Sequence, residues 1–127
     1  LYRTIMENEY IIEGNKLILG FEGYEHISDD PETYHEGYYY KKGEGAEHIA
    51  DCLFHESWDW LIPIIDKIRK DSRVIAFEIS FSLGVIVKTF YNGKWHFYES
   101  NDIIEAPYVA VIDYIKWYNN EQINNNR

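Results

Sequence analysis

Apolar residues recur at helical spacing in three stretches of the chain, over Glu9–Phe21, Trp58–Lys70 and Pro107–Asn120. The second stretch has apolar residues at i, i+3, i+4 and i+7 from Leu61, and the third repeats this spacing from Tyr108. Such a period is typical of amphipathic helices that bury one face. The sequence therefore predicts three helices.

Between the last two helices the period changes to two. From Arg73 to Ser100, apolar and polar residues alternate in three runs, of which the second is Val85–Phe90 and the third is Trp95–Glu99. Asn92-Gly93 separates these two runs and favours a type I′ turn, because both residues of that turn need positive φ. We predict an antiparallel meander here and a further short strand at Tyr38–Tyr40.

Two stretches leave alternatives open. Residues 49–55 fit either a short strand or one turn of helix. Ser57 suits the N-cap of the second helix. If that helix starts at Trp58, Pro63 lies past the first turn and should kink it. If it starts near Pro63 instead, the residues before it form a separate turn.

The element order is helix, strand, helix, three strands, helix. Because turn-linked strands exclude a doubly wound parallel sheet, we predict an α+β fold in which an antiparallel sheet packs against about three helices. Residues 1–127 fit a single domain. A natural start at Met6 would make residues 1–5 upstream sequence, and the polar stretch 120–127 predicts a frayed tail.

The net charge of −10 lies wholly in the first half of the chain. Residues 1–60 hold 14 acidic and 4 basic residues, whereas residues 61–127 hold 8 of each. An acidic half of this kind repels nucleic acid and anionic membranes, and it suits a basic protein or a cation. The alternative is that the acidity serves solubility alone.

We predict a partner-binding surface from acidic and tryptophan residues of this half, namely Asp29, Asp30, Glu32, Glu36, Trp58 and Trp60. The two tryptophans flank a carboxylate at a helix start. Since residues i and i+2 of a helix point to different sides, at least one should leave the core side. The alternative is that Trp60 belongs to the core and Trp58 packs, partly exposed, on the sheet.

Two groups of potential metal ligands occur in the first half. The first group, which would form i, i+4 pairs in a helix, matches no strong zinc motif and consists of His48, Asp51, Cys52 and His55. Cys52 has apolar neighbours, which favours a small buried side chain. The second group lacks the alternation and glycine of a calcium loop and consists of His26, Asp29, Asp30, Glu32 and His35. We predict no metal and no cofactor.

Composition and motifs exclude several further classes. The chain has no nucleophile elbow, phosphate loop or metalloprotease motif, so we predict a non-enzymatic protein. Cys52 is the single cysteine, which rules out an internal disulfide and fits a reducing compartment, most simply the cytoplasm. No apolar run approaches the roughly 20 residues of a membrane span, so we expect no membrane association.

Three sequence blocks occur in matching order in one group of proteins: Asn15-Lys16-Leu17-Ile18, Ser57-Trp58-Asp59-Trp60-Leu61-Ile62-Pro63 and Ile115-Lys116-Trp117-Tyr118-Asn119. In these blocks the chain resembles small uncharacterised proteins from phages, prophages and Bacteroidetes genomes. Leu19-Gly20-Phe21-Glu22 departs from the Ala-Glu-Phe-Met-like continuation that is usual there. The resemblance implies a phage or mobile-element origin, and hence a host cytoplasm, and it brings no known activity or functional residue.

The leading hypothesis is a non-enzymatic phage or mobile-element accessory protein that binds a basic protein partner through its acidic half. Inhibition of a nucleic-acid-binding enzyme is its concrete version. Two alternatives stay open. One is an immunity-type protein that neutralises a toxin, and the other is a small-ligand binder that uses Tyr38–Tyr40 and the tryptophans as a stacking platform. The sequence leaves the oligomeric state undetermined.

Overall fold

A computed structural model of the chain describes residues 6–27 and 37–125, which form three α-helices and two three-stranded antiparallel sheets. The elements are α1 (Asn8–Phe21), β1 (Glu25–His26), β2 (Tyr38–Lys41), β3 (Gly45–His48), a 3₁₀ turn (Ile49–Asp51), α2 (Trp58–Arg69), β4 (Ala76–Phe81), β5 (Val85–Tyr91), β6 (Lys94–Ser100) and α3 (Glu105–Asn125). The predicted α+β fold is confirmed. The prediction of one sheet is wrong, because β1–β3 form a first sheet and β4–β6 a second.

The first sheet contains two strands, β1 and β3, that the sequence analysis did not predict. β3 pairs antiparallel with β2, from Tyr38 opposite His48 to Lys41 opposite Gly45. Gly43 and Gly45 have φ of 88° and 90°, which the bend of this hairpin requires and which glycine adopts without strain. The open question at residues 49–55 is resolved as a 3₁₀ turn over the first three of them.

The second sheet is the predicted meander. Asn92 and Gly93 have φ of 55° and 76°, as a type I′ turn requires. Along the central strand β5, Val85, Val87, Thr89 and Tyr91 are buried against the helices, while Ile86 and Lys88 point to the other face. Helices therefore cover one face of this sheet.

The helix α3 lies at the centre of the molecule. Ala106, Ala110, Asp113 and Trp117, spaced i, i+4, i+7 and i+11, lie on the side that faces the second sheet. On the opposite side α3 packs against α1 and α2. Both sides are buried, so the single predicted stripe describes only half of its buried surface.

Both ends of α3 differ from the prediction. It begins at Glu105, where Asp102 Oδ1 accepts hydrogen bonds from the amides of Ile104 (2.9 Å) and Glu105 (3.3 Å). At the other end α3 continues to Asn125, so residues 120–125 are helical where the sequence predicted a frayed tail. Residues 126–127 lie outside the described part.

The helix α2 begins at Trp58 and passes through Pro63, which settles the alternative left open by the sequence. Pro63 lies on the exposed side of α2. Proline has no backbone N–H, so the carbonyl four residues earlier in the helix lacks its usual hydrogen-bond donor. Because this side of α2 is exposed, water can bind that carbonyl instead. Ser57 occupies the predicted N-cap position, but its side chain makes no capping hydrogen bond.

Candidate functional site

The outer face of the first sheet presents two tyrosines. Side chains alternate along β2, so Tyr39 is buried (8% exposed) while Tyr38 and Tyr40 are 38% and 49% exposed. The strand register places Glu25 and Ala46 beside Tyr40, and His48 beside Tyr38. The His48 ring lies edge-on to Tyr38 with 4.7 Å between ring centroids. We call the surface formed by Tyr38, Tyr40, Glu25, Ala46 and His48 the tyrosine face.

Carboxylates surround one end of the tyrosine face. Tyr24 lies between α1 and β1, and its pKa is raised first by burial and then by the charges of Glu47, Glu44 and Glu22. Three carboxylates thus act on a single hydroxyl. Lys41 lies at the same end of the first sheet, with its Nζ 5.8 Å from the centroid of the Tyr24 ring, so these carboxylates share this end with a lysine.

The same excess of carboxylates holds across the half of the molecule that contains α1 and the first sheet. Residues 6–27 and 37–59 hold ten carboxylates and three lysines, whereas residues 60–125 hold eight carboxylates and seven basic residues. Several of those basic residues are in ion pairs, as in Lys67–Glu22 (3.5 Å), Lys70–Asp66 (2.9 Å) and Arg73–Asp71 (2.7 Å). The predicted partner-binding acids Asp29, Asp30, Glu32 and Glu36 lie outside the described residues, in the segment that joins β1 to β2.

The structure places the other two predicted binding residues against the core. Trp58 packs edge-on to Phe81 of β4, with ring centroids 6.3 Å apart. Trp60 packs edge-on to Phe54 at 5.0 Å. Both tryptophans are half-buried and pack against the hydrophobic core.

The side chains of His48, Cys52 and His55 each make a different hydrogen-bond contact. His48 Nδ1 accepts a hydrogen bond from the Ala50 amide (3.0 Å). The Cys52 thiol donates to the His48 carbonyl (3.7 Å), and His55 Nδ1 lies 3.2 Å from Asn15 Nδ2. Within residues 6–27 and 37–125, no three His, Cys, Asp or Glu side chains form a group that could hold a metal ion. Asp29, Asp30, Glu32 and His35 of the second group lie outside those residues.

A buried polar network that sequence analysis missed involves His55. The Tyr108 hydroxyl bonds to Asn15 Oδ1 (2.9 Å), and the Asn15 amide nitrogen contacts His55, so the network connects α3, α1 and the segment before α2.

Burial, followed by the charges of Glu47 and Asp51, raises the pKa of Cys52 to about 11. The thiol is therefore protonated at neutral pH and is a poor nucleophile.

The outer face of the second sheet is a further exposed aromatic surface. Ile86 is 36%, Trp95 45% and Phe97 65% exposed. Phe90 lies opposite Trp95 in the register, with their rings 5.2 Å apart. The signal for this surface was in β6, where Trp95 and Phe97 alternate with His96 and Tyr98, so that the strand is aromatic on both faces.

Comparisons of the chain with protein-family models, with curated proteins and with solved structures give no match. In the described part of the chain, no helix combines the length and the apolarity that crossing a bilayer requires.

Proposed function

We propose that this protein is a non-enzymatic binding protein that captures a basic protein partner on its tyrosine face. One observation carries the proposal: two exposed tyrosines share a sheet face with Glu25, in the half of the molecule where carboxylates far outnumber lysines. Tyrosine is enriched at protein interfaces because it offers a large rigid ring and a polar hydroxyl.

The two kinds of residue would make different contributions to binding. The tyrosine rings supply area that a partner can bury. The carboxylates supply a long-range field that accelerates encounter with a basic surface and disfavours acidic partners. Binding of this type weakens as salt rises, because counterions screen exposed charges within about 10 Å at 0.1 M.

The concrete form of the proposal is a phage or mobile-element inhibitor of a nucleic-acid-binding enzyme. Such an enzyme has a basic groove that holds phosphates, and carboxylates on the tyrosine side of this protein would occupy that groove. The resemblance of the three sequence blocks to phage proteins supports this form. It predicts that the captured partner loses nucleic-acid binding when this protein is added.

The test is affinity capture from the native host lysate at low and moderate salt, followed by reconstitution with the purified captured protein. Tyr40→Ser and Glu44→Lys should each weaken the reconstituted complex. Glu121→Lys on α3 makes the same charge change outside the acidic half of the chain and should leave most binding intact. Equal binding by all variants would contradict the proposal. Equal loss in Glu44→Lys and Glu121→Lys would show that only net charge matters.

A further inference from the structure

Tyr38 and Tyr40 stand side by side on the tyrosine face. They are two residues apart on β2 and both are exposed, whereas Tyr39 between them points to the buried side. A strand rises about 3.4 Å per residue, so side chains two residues apart leave the strand about 7 Å from each other. The two tyrosines therefore border a gap on the outer face of the first sheet.

The width of this gap suits a flat cation. Carbon atoms in van der Waals contact lie about 3.5–4 Å apart, so a planar group that touches both rings needs roughly 7–8 Å between them. The guanidinium of arginine is planar, and it stacks on aromatic faces that attract its charge. The ammonium of lysine is a compact, strongly hydrated point charge without a flat face. The gap therefore favours arginine over lysine.

One carboxylate lies beside the gap. Glu25 of β1 is exposed and is opposite Tyr40 in the strand register. Residues directly opposite each other have Cβ atoms about 4.5–5.5 Å apart, so the Glu25 carboxylate can reach a group that stacks on Tyr40. A carboxylate accepts two parallel hydrogen bonds from a guanidinium. On the other side of Tyr40 stands the small residue Ala46, and the Tyr40 side chain is 49% exposed.

His48 supports the Tyr38 side of the gap. Its ring lies edge-on to Tyr38 with 4.7 Å between ring centroids, and its Nδ1 accepts a hydrogen bond from the Ala50 amide (3.0 Å). The same ring packs close to Gly37, where an added Cβ would come within 3.0 Å of His48 Nε2. A binding surface that is ordered before the ligand arrives loses less conformational entropy on binding.

The protein's own cations stack on other rings. Lys41 follows Tyr40 on β2 but alternates to the other face, where its Nζ lies 5.8 Å from the centroid of the Tyr24 ring. Among the described residues, no lysine or arginine side chain lies over Tyr38 or Tyr40. A partner can therefore supply the cation for this gap.

We infer that the tyrosine face is an arginine-recognition site. An arginine side chain of the partner stacks between Tyr38 and Tyr40, and its guanidinium binds the Glu25 carboxylate. This inference rests on the proposed function, in which the partner is a basic protein, and it names the side chain by which that partner is held. It goes further than charge, because a negative field attracts lysine and arginine equally whereas this gap distinguishes them.

The test compares two capped peptides, acetyl-Gly-Arg-Gly-amide and acetyl-Gly-Lys-Gly-amide. Each is titrated into the full chain at low salt while the backbone amide chemical shifts are recorded. The arginine peptide should bind about threefold or more tightly than the lysine peptide, with the largest shifts at Glu25 and Tyr38–Tyr40. Tyr40→Ser and Glu25→Gln should each weaken binding of the arginine peptide about two- to fivefold and reduce its advantage over lysine.

Two variants serve as matched controls. Trp95→Ser removes an exposed aromatic side chain from the second sheet, and Glu9→Gln removes an exposed carboxylate from α1 in the same acidic half. Neither should change the preference for arginine. Thermal denaturation verifies that all four variants fold.

Three outcomes overturn the inference: equal or undetectable binding of the two peptides, shifts confined to other parts of the chain, or an arginine preference that persists in both Tyr40→Ser and Glu25→Gln. The proposed function fails separately. If no basic protein is captured from the lysate, the peptides still measure the arginine site. If a captured protein keeps its affinity after its surface arginines are replaced by lysine, capture of a basic partner stands and the arginine site is wrong.

Discussion

The Tyr108 hydroxyl lies 2.9 Å from Asn15 Oδ1, in a buried contact between the central helix α3 and α1. The same hydroxyl is 3.0 Å from the Ile11 carbonyl oxygen, one turn earlier on α1. Because both acceptors belong to one helix, this hydroxyl fixes how α1 lies against α3. A buried polar network of this kind favours one arrangement, since any other arrangement leaves a polar group unpaired.

Gly14 allows this close approach, and we predict that Gly14→Ala destabilises the protein. An added Cβ would overlap the Tyr108 hydroxyl and come within 3.0 Å of Ile112 Cδ1. In an open helix alanine is better than glycine by about 1 kcal/mol. Here the steric overlap should dominate and lower the free energy of unfolding by roughly 1–3 kcal/mol. Urea denaturation measures the change.

Gly20→Ala is the control on the same helix. A Cβ at Gly20 meets no heavy atom of the described residues within 4 Å. This variant should therefore gain up to about 1 kcal/mol from helix propensity alone. A similar gain in Gly14→Ala would show that the contact with Tyr108 does not constrain the helix pair.

The parts of the fold that sequence analysis predicted are those with a strong local signal. The Asn92-Gly93 turn and the apolar spacing of α2 each depend on residues close in the chain. β3 was missed because Gly45-Ala46-Glu47-His48 lacks the β-branched and aromatic residues that favour strands. Its pairing with the tyrosine strand β2 forms it, and that is a tertiary effect.

The candidate surfaces were less predictable than the fold. Tyr38–Tyr40 was recognised as an aromatic strand, but only the sheet shows which tyrosines are buried. For Trp58 and Trp60 the sequence left open an exposed anchor or packing on the core and the sheet, and the structure shows both half-buried against the core. Asn15 and Tyr108 are 93 residues apart, so no local pattern connects them.

We predict that Asp102, rather than Ser57, stabilises a helix start by capping. Asp102 Oδ1 accepts from the amides of Ile104 and Glu105, whereas the Ser57 side chain makes no capping bond. Asp102→Ala should lower the free energy of unfolding by about 1 kcal/mol, and Ser57→Ala should change it by less than about 0.5 kcal/mol. Equal losses, measured by chemical denaturation, would contradict this assignment.

The stability contributed by Asp71 should depend on pH. Its carboxylate accepts a hydrogen bond from Arg73 (2.7 Å), which lowers its pKa, and a further bond from the Tyr114 hydroxyl (2.5 Å) acts in the same direction. Because the folded pKa lies below the unfolded value of about 3.9, this stability is present above that pH. It is lost as pH falls through the folded pKa.

Asp71→Asn should therefore lower the melting temperature at pH 7, where the lost bonds are worth about 1–2 kcal/mol. The difference from wild type should shrink as the pH is lowered below about 4. Asp66→Asn is the comparison, since Asp66 is also paired with a basic residue (Lys70) but lies more exposed on α2. Its effect should be small at every pH. A pH-independent difference for Asp71→Asn would contradict the electrostatic origin.

Cys52 should react slowly with thiol reagents in the folded protein. It is 1% exposed, and burial is the main cause that raises its pKa to about 11. A free cysteine has a pKa of about 8.5, so at pH 8 the native thiolate is scarcer by roughly a hundredfold. Labelling kinetics should show this slow rate, and full reactivity should return in urea. Ser72→Cys in a Cys52→Ala background provides an exposed comparison. Equal native rates at the two positions would mean that the segment before α2 opens readily, and that Cys52 is available for chemistry that its buried position otherwise disfavours.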